Sequence, residues 1–197
     1  MHHEPMHFIH ETKCLHPELF YQKRWLDIGS INGSPHPSSH VRECEWVGVD
    51  LEDGLLYEPQ YNYHKHNKYT TWIGRGHDYR SDEKFDVVSA FEVFEHDPFY
   101  DLTIANMVNH LKPGGMFIMT CAGLGRREHG TLKAHPDASP FTAKIEGWKD
   151  FYQNRAPIDF KSVPHWDRLQ RGYWGINEAT QDLYYRGWKS DIKEYNI

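Results

Sequence analysis

The stretch that most limits what this chain can become runs from Arg24 to Ser34, Arg-Trp-Leu-Asp-Ile-Gly-Ser-Ile-Asn-Gly-Ser. A short apolar run, Trp25 to Ile28, meets a turn bracketed by Gly29 and Gly33. Such a run reads as a buried strand, Arg24 to Ile28, that ends in a tight loop. Glycine permits positive φ there and lets a ligand approach the main chain with no Cβ in between. A second run, Trp46 to Val49, is again strand-like and ends in Asp50. That acid lies about twenty residues past the first glycine, where the tip of a neighbouring strand offers a carboxylate to ribose hydroxyls. A dinucleotide with a pyrophosphate asks for G-x-G-x-x-G at the turn. The spacing here is Gly29-x-x-x-Gly33, with Asp27 ahead of it, which argues against that ligand class. Taken alone, the turn also fits a loop that binds nothing.

The rest of the chain alternates between strand-like and helix-like segments. Tyr69 to Ile73 is rich in β-branched and aromatic residues and is predicted as a third strand. Phe85 to Ala90 is a continuous apolar run, as in a strand buried on both faces. A helix is predicted from about Pro98, with Leu102, Ala105, Val108 and Leu111 on neighbouring positions and Lys112-Pro113-Gly114-Gly115 as its stop. Met116 to Cys121 is a fifth strand. Leu169 to Ile176 and Gln181 to Trp188 pair antiparallel, and Gly147 to Asn154 makes a short helix. Residues 1 to 23 read as an irregular start followed by a short helix opening at His16-Pro17. Leu55 to Tyr69 has no clear period and reads as an insertion with a short helical turn. Pro35 and Pro37 shorten or delay any helix after Gly33. The pattern predicts an α/β fold, Rossmann-like and doubly wound, with a mainly parallel sheet and an antiparallel strand at one edge. Residues 1–197 are expected to form a single domain: a cap segment at 1–23, a cofactor core at 24–121 and an acceptor side at 122–197.

Four segments, in order, resemble the class I S-adenosylmethionine-dependent methyltransferases. They are Leu26-Asp27-Ile28-Gly29-Ser30, Val47-Gly48-Val49-Asp50, Phe85-Asp86-Val87-Val88 with Glu92-Val93-Phe94-Glu95-His96, and Leu111-Lys112-Pro113-Gly114-Gly115. The nearest resemblance is to the type 11 methyltransferase-domain group. It implies S-adenosylmethionine as cofactor, held by Asp27, Gly29, Ser30, Gly33, Asp50, Leu51, Gly76, His77, Ala90 and Phe91. The family usually has an acidic residue beside the adenine; Arg75 takes that position here, so a hydrogen bond to the adenine amine is expected from Asp78 or a backbone carbonyl. By analogy, the 1–23 segment lies over the cofactor pocket.

The implied reaction is methyl transfer to a small molecule, such as a sugar or an anionic metabolite. The sulfonium methyl is already activated, so the protein mainly positions it for in-line attack. His96 is the first candidate for a base, with loop ordering as its other reading, and Glu92 is expected to line the pocket. Some methyltransferases with a similar Glu-x-x-Glu-His pattern bind a divalent cation there. Glu92, Glu95 and His96, completed by His129 or His135, are the matching donors, and Mg²⁺ or Mn²⁺ the matching ions. Relatives with the same pattern commonly hold no metal, so the cation is the minor expectation. Arg126 and Arg127 would suit an anionic acceptor, or form a solvated charged loop. A cofactor-binding module without turnover is the competing reading. A nicotinamide oxidoreductase is the third, and lacks its fingerprint.

Composition narrows the partners. The net charge of −6 and the lack of an obvious basic face argue against nucleic acid. No Asn-Pro-Pro-Tyr or Asp-Pro-Pro-Tyr follows the fourth strand, which argues against DNA amino-methylation. No apolar run reaches membrane-spanning length, and Met1-His2-His3-Glu4-Pro5 is no signal-peptide core. Three widely spaced cysteines, Cys14, Cys44 and Cys121, fit reduced thiols and a cytoplasmic setting.

Overall fold

The computed structural model describes residues 3–30, 37–52 and 66–190. A seven-stranded sheet forms the middle layer. Its strands are β1 (Arg24–Ile28), β2 (Glu45–Asp50), β3 (Lys68–Ile73), β4 (Phe85–Phe91), β5 (Leu111–Ala122), β6 (Leu169–Asn177) and β7 (Asp182–Lys189), in the order β3-β2-β1-β4-β5-β7-β6. The first five run parallel. β7 pairs antiparallel with both β5 and β6, so the reversed strand lies one place in from the edge.

Strand side chains alternate between the two faces. Leu26, Ile28, Val88, Ala90, Phe117 and Met119 pack on one face with Ile104, Met107 and Val108 of α2 (Tyr100–His110). Trp25, Trp46, Val87 and Ile118 face the other way and meet Phe8 and Ile9 of α1 (His3–Leu15). Helices thus cover both faces, and β1 and β4 are buried on both sides, as their apolar runs require.

The N-terminal segment differs from expectation. It is a thirteen-residue α-helix followed by a 3₁₀ turn at Pro17–Phe20. Its helicity draws on packing as much as on propensity, since Phe8 and Ile9 are buried against the sheet. Arg186 of β7 bonds Glu11 Oε1 at 3.0 Å and Thr12 Oγ1 at 3.2 Å, and stacks on Phe8 and Tyr173, which ties α1 to the last strand. Gly147 to Asn154 forms turns and irregular chain rather than a helix. Among the described residues, β1 and β2 are joined through a 3₁₀ turn at Pro37–His40, in keeping with the prolines. Gly33 and most of the 55–69 insertion lie outside the described residues.

Candidate functional site

The carboxyl ends of β1, β2 and β4 open into a cavity of about 280 Å³. A crevice at that end is where parallel α/β sheets bind ligands. β1 stops because Gly29 takes φ +74, a left-handed conformation. The N–H groups of Gly29 and Ser30 both donate to Val49 O, at 2.8 and 3.2 Å, which locks the turn to β2. A Cβ at Gly29 would stand 2.3 Å from Val93 Cγ2, so the position has room for glycine alone. Gly76 is tight in the same way: a Cβ there would meet Ile28 Cγ2 and Thr103 Cγ2, each at 2.7 Å.

Two buried acids face this space. Asp27 accepts a 2.6 Å hydrogen bond from Ser89 Oγ. Burial pushes its carboxyl up to about 7; Ser89 and Ser30 ease the shift and Asp50 adds to it. Asp50 accepts the Leu51 N–H on Oδ1 at 2.7 Å. Burial carries its carboxyl up to about 6, partly countered by that N–H, and Glu52 adds a small push the same way. Both acids therefore gain from a ligand that brings positive charge or hydroxyl donors.

Of the ten residues expected to hold the cofactor, Asp27, Gly29, Asp50, Leu51, Gly76 and Phe91 line the cavity. Three others do not. Ala90 lies in the core on the α2 face. Ser30 is buried beside the turn and accepts the Trp46 indole N–H at 3.2 Å. His77 stacks on Phe99 with ring centroids 5.0 Å apart. Gly33 falls outside the described residues. Asp78 does not line the cavity and sits 3.8 Å from the His77 ring. Asp97 lines it instead, its oxygens accepting the Phe99 N–H and the Thr103 hydroxyl. Among the described residues of the N-terminal segment, none lines the cavity; α1 rests on a sheet face.

Both residues expected to carry catalysis are at the wall. Glu92 follows β4 with φ +58, an uncommon conformation for a side-chain-bearing residue, and its Oε1 accepts the Thr120 hydroxyl at 2.7 Å. Strain of this kind gathers at functional sites. His96 also lines the cavity; burial and the nearby His129 lower its imidazole to about 3. It is therefore neutral across the physiological range.

The far wall comes from a segment with no recognisable motif, Asp137 to Thr142, together with Trp148. Nothing in the sequence reading singled out this wall. Arg75 stacks its guanidinium 5.8 Å from the Trp148 ring and holds that wall from outside. Arg126 has another use. It donates to Thr180 O at 2.8 Å and pairs with the fully buried Asp182 at 3.2 Å. Among the described residues no lysine or arginine lines the cavity, whereas Asp27, Asp50, Glu92, Asp97 and Asp137 do.

A family profile described as a methyltransferase domain matches residues 1–156. No curated protein sequence matches the chain. Solved structures of similar fold include phosphoethanolamine N-methyltransferase 2 of Haemonchus contortus bound to S-adenosylmethionine, at 13% identity and a TM-score of 0.61, over 91% of this chain and 52% of that one. The N-methyltransferase NodS of Bradyrhizobium japonicum with S-adenosylhomocysteine gives 16%, 0.55, 91% and 86%. A Clostridium acetobutylicum S-adenosylmethionine-dependent methyltransferase gives 13%, 0.62, 96% and 93%. The chain spans about half the length of the first of these.

Proposed function

Because the chain belongs to the methyltransferase-domain family, we propose that it transfers the sulfonium methyl of S-adenosylmethionine to a small-molecule acceptor. The observation that carries the reading is the pair of buried acids at adjacent strand ends, Asp27 and Asp50, facing one cavity. Asp50 stands at the tip of β2, the place for ribose hydroxyls. Asp27 lies beneath the glycine turn, where positive charge on the cofactor would favour its ionised form. Gly29 and Gly76 keep backbone close to the ligand, and Trp148 and Phe141 cover it. Nicotinamide cofactors are disfavoured by the turn's spacing.

At the acceptor end, the supporting observations are Glu92 and His96. A neutral, buried imidazole with depressed basicity suits hydrogen bonding to the acceptor's proton-bearing atom. Glu92 is then the group placed to receive the proton. The acidic lining, and the engagement of Arg126 by Asp182, favour an uncharged acceptor such as a sugar hydroxyl over an anionic metabolite. Residues 122–190 supply that side, within one domain working as a unit. The free thiols of Cys14, Cys44 and Cys121 support a reducing, cytoplasmic setting. No described helix is long and apolar enough to cross a membrane.

The test is calorimetry with S-adenosylmethionine, then turnover on a panel of hydroxyl, amine and carboxylate acceptors, read as S-adenosylhomocysteine formed. Binding without turnover on any acceptor class would favour the silent module. His96→Ala should lower kcat by about 10²-fold while leaving cofactor affinity within a factor of two or so. Because His96 is already neutral, kcat for the native protein should show no inflection near the ordinary histidine pKa of about 6.5. A clear inflection removed by His96→Ala would refute this assignment.

A further inference from the structure

We propose that Glu95, His96 and His129 form a binding site for one divalent transition-metal cation of the zinc or iron(II) kind. One carboxylate oxygen and one nitrogen from each imidazole all lie within 4.8 Å of one another. The ligand set differs from the sequence expectation: among the described residues, Glu92 and His135 are not members.

Three observations carry the site. Glu95 is fully buried, and neither of its carboxylate oxygens has a hydrogen-bond partner. Its own N–H and that of Ala122 lie close enough to ease the burial of charge, yet neither reaches hydrogen-bond geometry. A buried carboxylate left in this state is expensive unless a cation or proton completes it. His96 is also buried, at 5% exposure, and its Nδ1 has no partner. His129 Nδ1 meets Arg127 O at 3.0 Å. A metal-bound histidine commonly donates its second ring N–H to a backbone carbonyl, which fixes the tautomer. His96 and His129 meet edge to face at 5.0 Å, with Tyr152 packed on both.

The donor types select the cation. Two imidazoles and one carboxylate suit zinc, iron(II), cobalt or nickel, whereas Mg²⁺ prefers oxygen and retained water. Bonds of about 2.0–2.1 Å to a tetrahedral ion put ligand atoms roughly 3.3 Å apart, a spacing that atoms all within 4.8 Å of one another can meet. Gly130, next in sequence, donates its N–H to His135 O at 3.0 Å, which joins the cluster to the segment that leads to the cavity wall.

Binding is argued from the cluster alone and is read without turnover, so it stands or falls apart from the methyl-transfer reading. The experiment is titration of the metal-stripped full chain with Co²⁺ and Zn²⁺, with Mg²⁺ as control. It is followed by visible absorption for cobalt, calorimetry for zinc, and thermal unfolding for all three. Expected are one tight Co²⁺ equivalent with a visible ligand-field band and a Tm rise of about 5–10 °C at a hundredfold excess over Kd. His129→Ala, which leaves the N-terminal histidines intact, should lose the band and weaken binding at least tenfold. Glu95→Gln should do the same. It keeps the side chain's shape, and its fold is checked by circular dichroism and S-adenosylmethionine binding. No tight equivalent, or one that survives both substitutions, overturns the site. Binding of Mg²⁺ as tightly as zinc would overturn the choice of cation.

Discussion

The glycine turn after β1 gives the sharpest quantitative test. Gly29→Ala imposes two separable costs. At φ +74 an alanine is strained by about 1–2 kcal/mol relative to glycine. Its Cβ would also lie 2.3 Å from Val93 Cγ2, and overpacking of that kind costs about 1–3 kcal/mol. The sum, about 2–5 kcal/mol, lowers Tm by roughly 4–20 °C in a chain of this size. Cofactor affinity should fall at least about tenfold, because displacing one backbone contact is worth about 1.4 kcal/mol. Val93→Ala removes the obstructing methyl and leaves the backbone strain. In the double-mutant cycle the two changes should therefore couple favourably by about 1–3 kcal/mol. The assay is urea unfolding of the four proteins without cofactor, with S-adenosylmethionine binding measured on each. A coupling smaller than about 0.5 kcal/mol would refute the packing explanation. An alanine variant that binds cofactor normally would refute the role given to the turn.

Two further outcomes are expected. Asp27 and Asp50 have carboxyls raised to about 7 and about 6, so their favourable share of apo-protein stability is full below about pH 4 and is lost as pH rises through those values. As ligands of the proposed cofactor they would be favoured ionised, so the Tm gain on adding S-adenosylmethionine should widen from about pH 5 to about pH 8; a constant gain would count against both acids as cofactor ligands. Arg126→Gln should destabilise by about 3 kcal/mol, since it strips an ion pair from a buried acid, while leaving acceptor KM unchanged; a selective rise in KM for anionic acceptors would restore the anion-binding reading.

The parallel core was legible because β1, β2 and β4 are short, largely apolar runs that end at a glycine or an acid, while β3 shows β-branched and aromatic residues. Arg24–Ile28 was bounded to the residue, and β4 within one. The helix α1 was missed because its buried contacts, Phe8 and Ile9, sit among histidines and acids, and Arg186, which anchors it, lies far along the chain. The two acids that face the cavity were readable, Asp50 from its spacing and Asp27 from its place ahead of the glycine turn. Ser89, which hydrogen-bonds Asp27, was not: one hydroxyl within an apolar strand has no local signature, and only the β1–β4 register brings it alongside. The Asp137–Thr142 wall was hidden for a related reason. Its residues meet the cavity through loop packing that no periodicity encodes.

The clamp between Arg186 and α1 has a consequence for biosynthesis. Some 174 residues separate Thr12 of the helix from Arg186, so during translation α1 must wait, its apolar face uncovered on the β7 side, until β7 has threaded between β5 and β6. A nascent chain stalled before β7 would expose Phe8 and the unsealed flank of β5 together, and chaperones should engage it there.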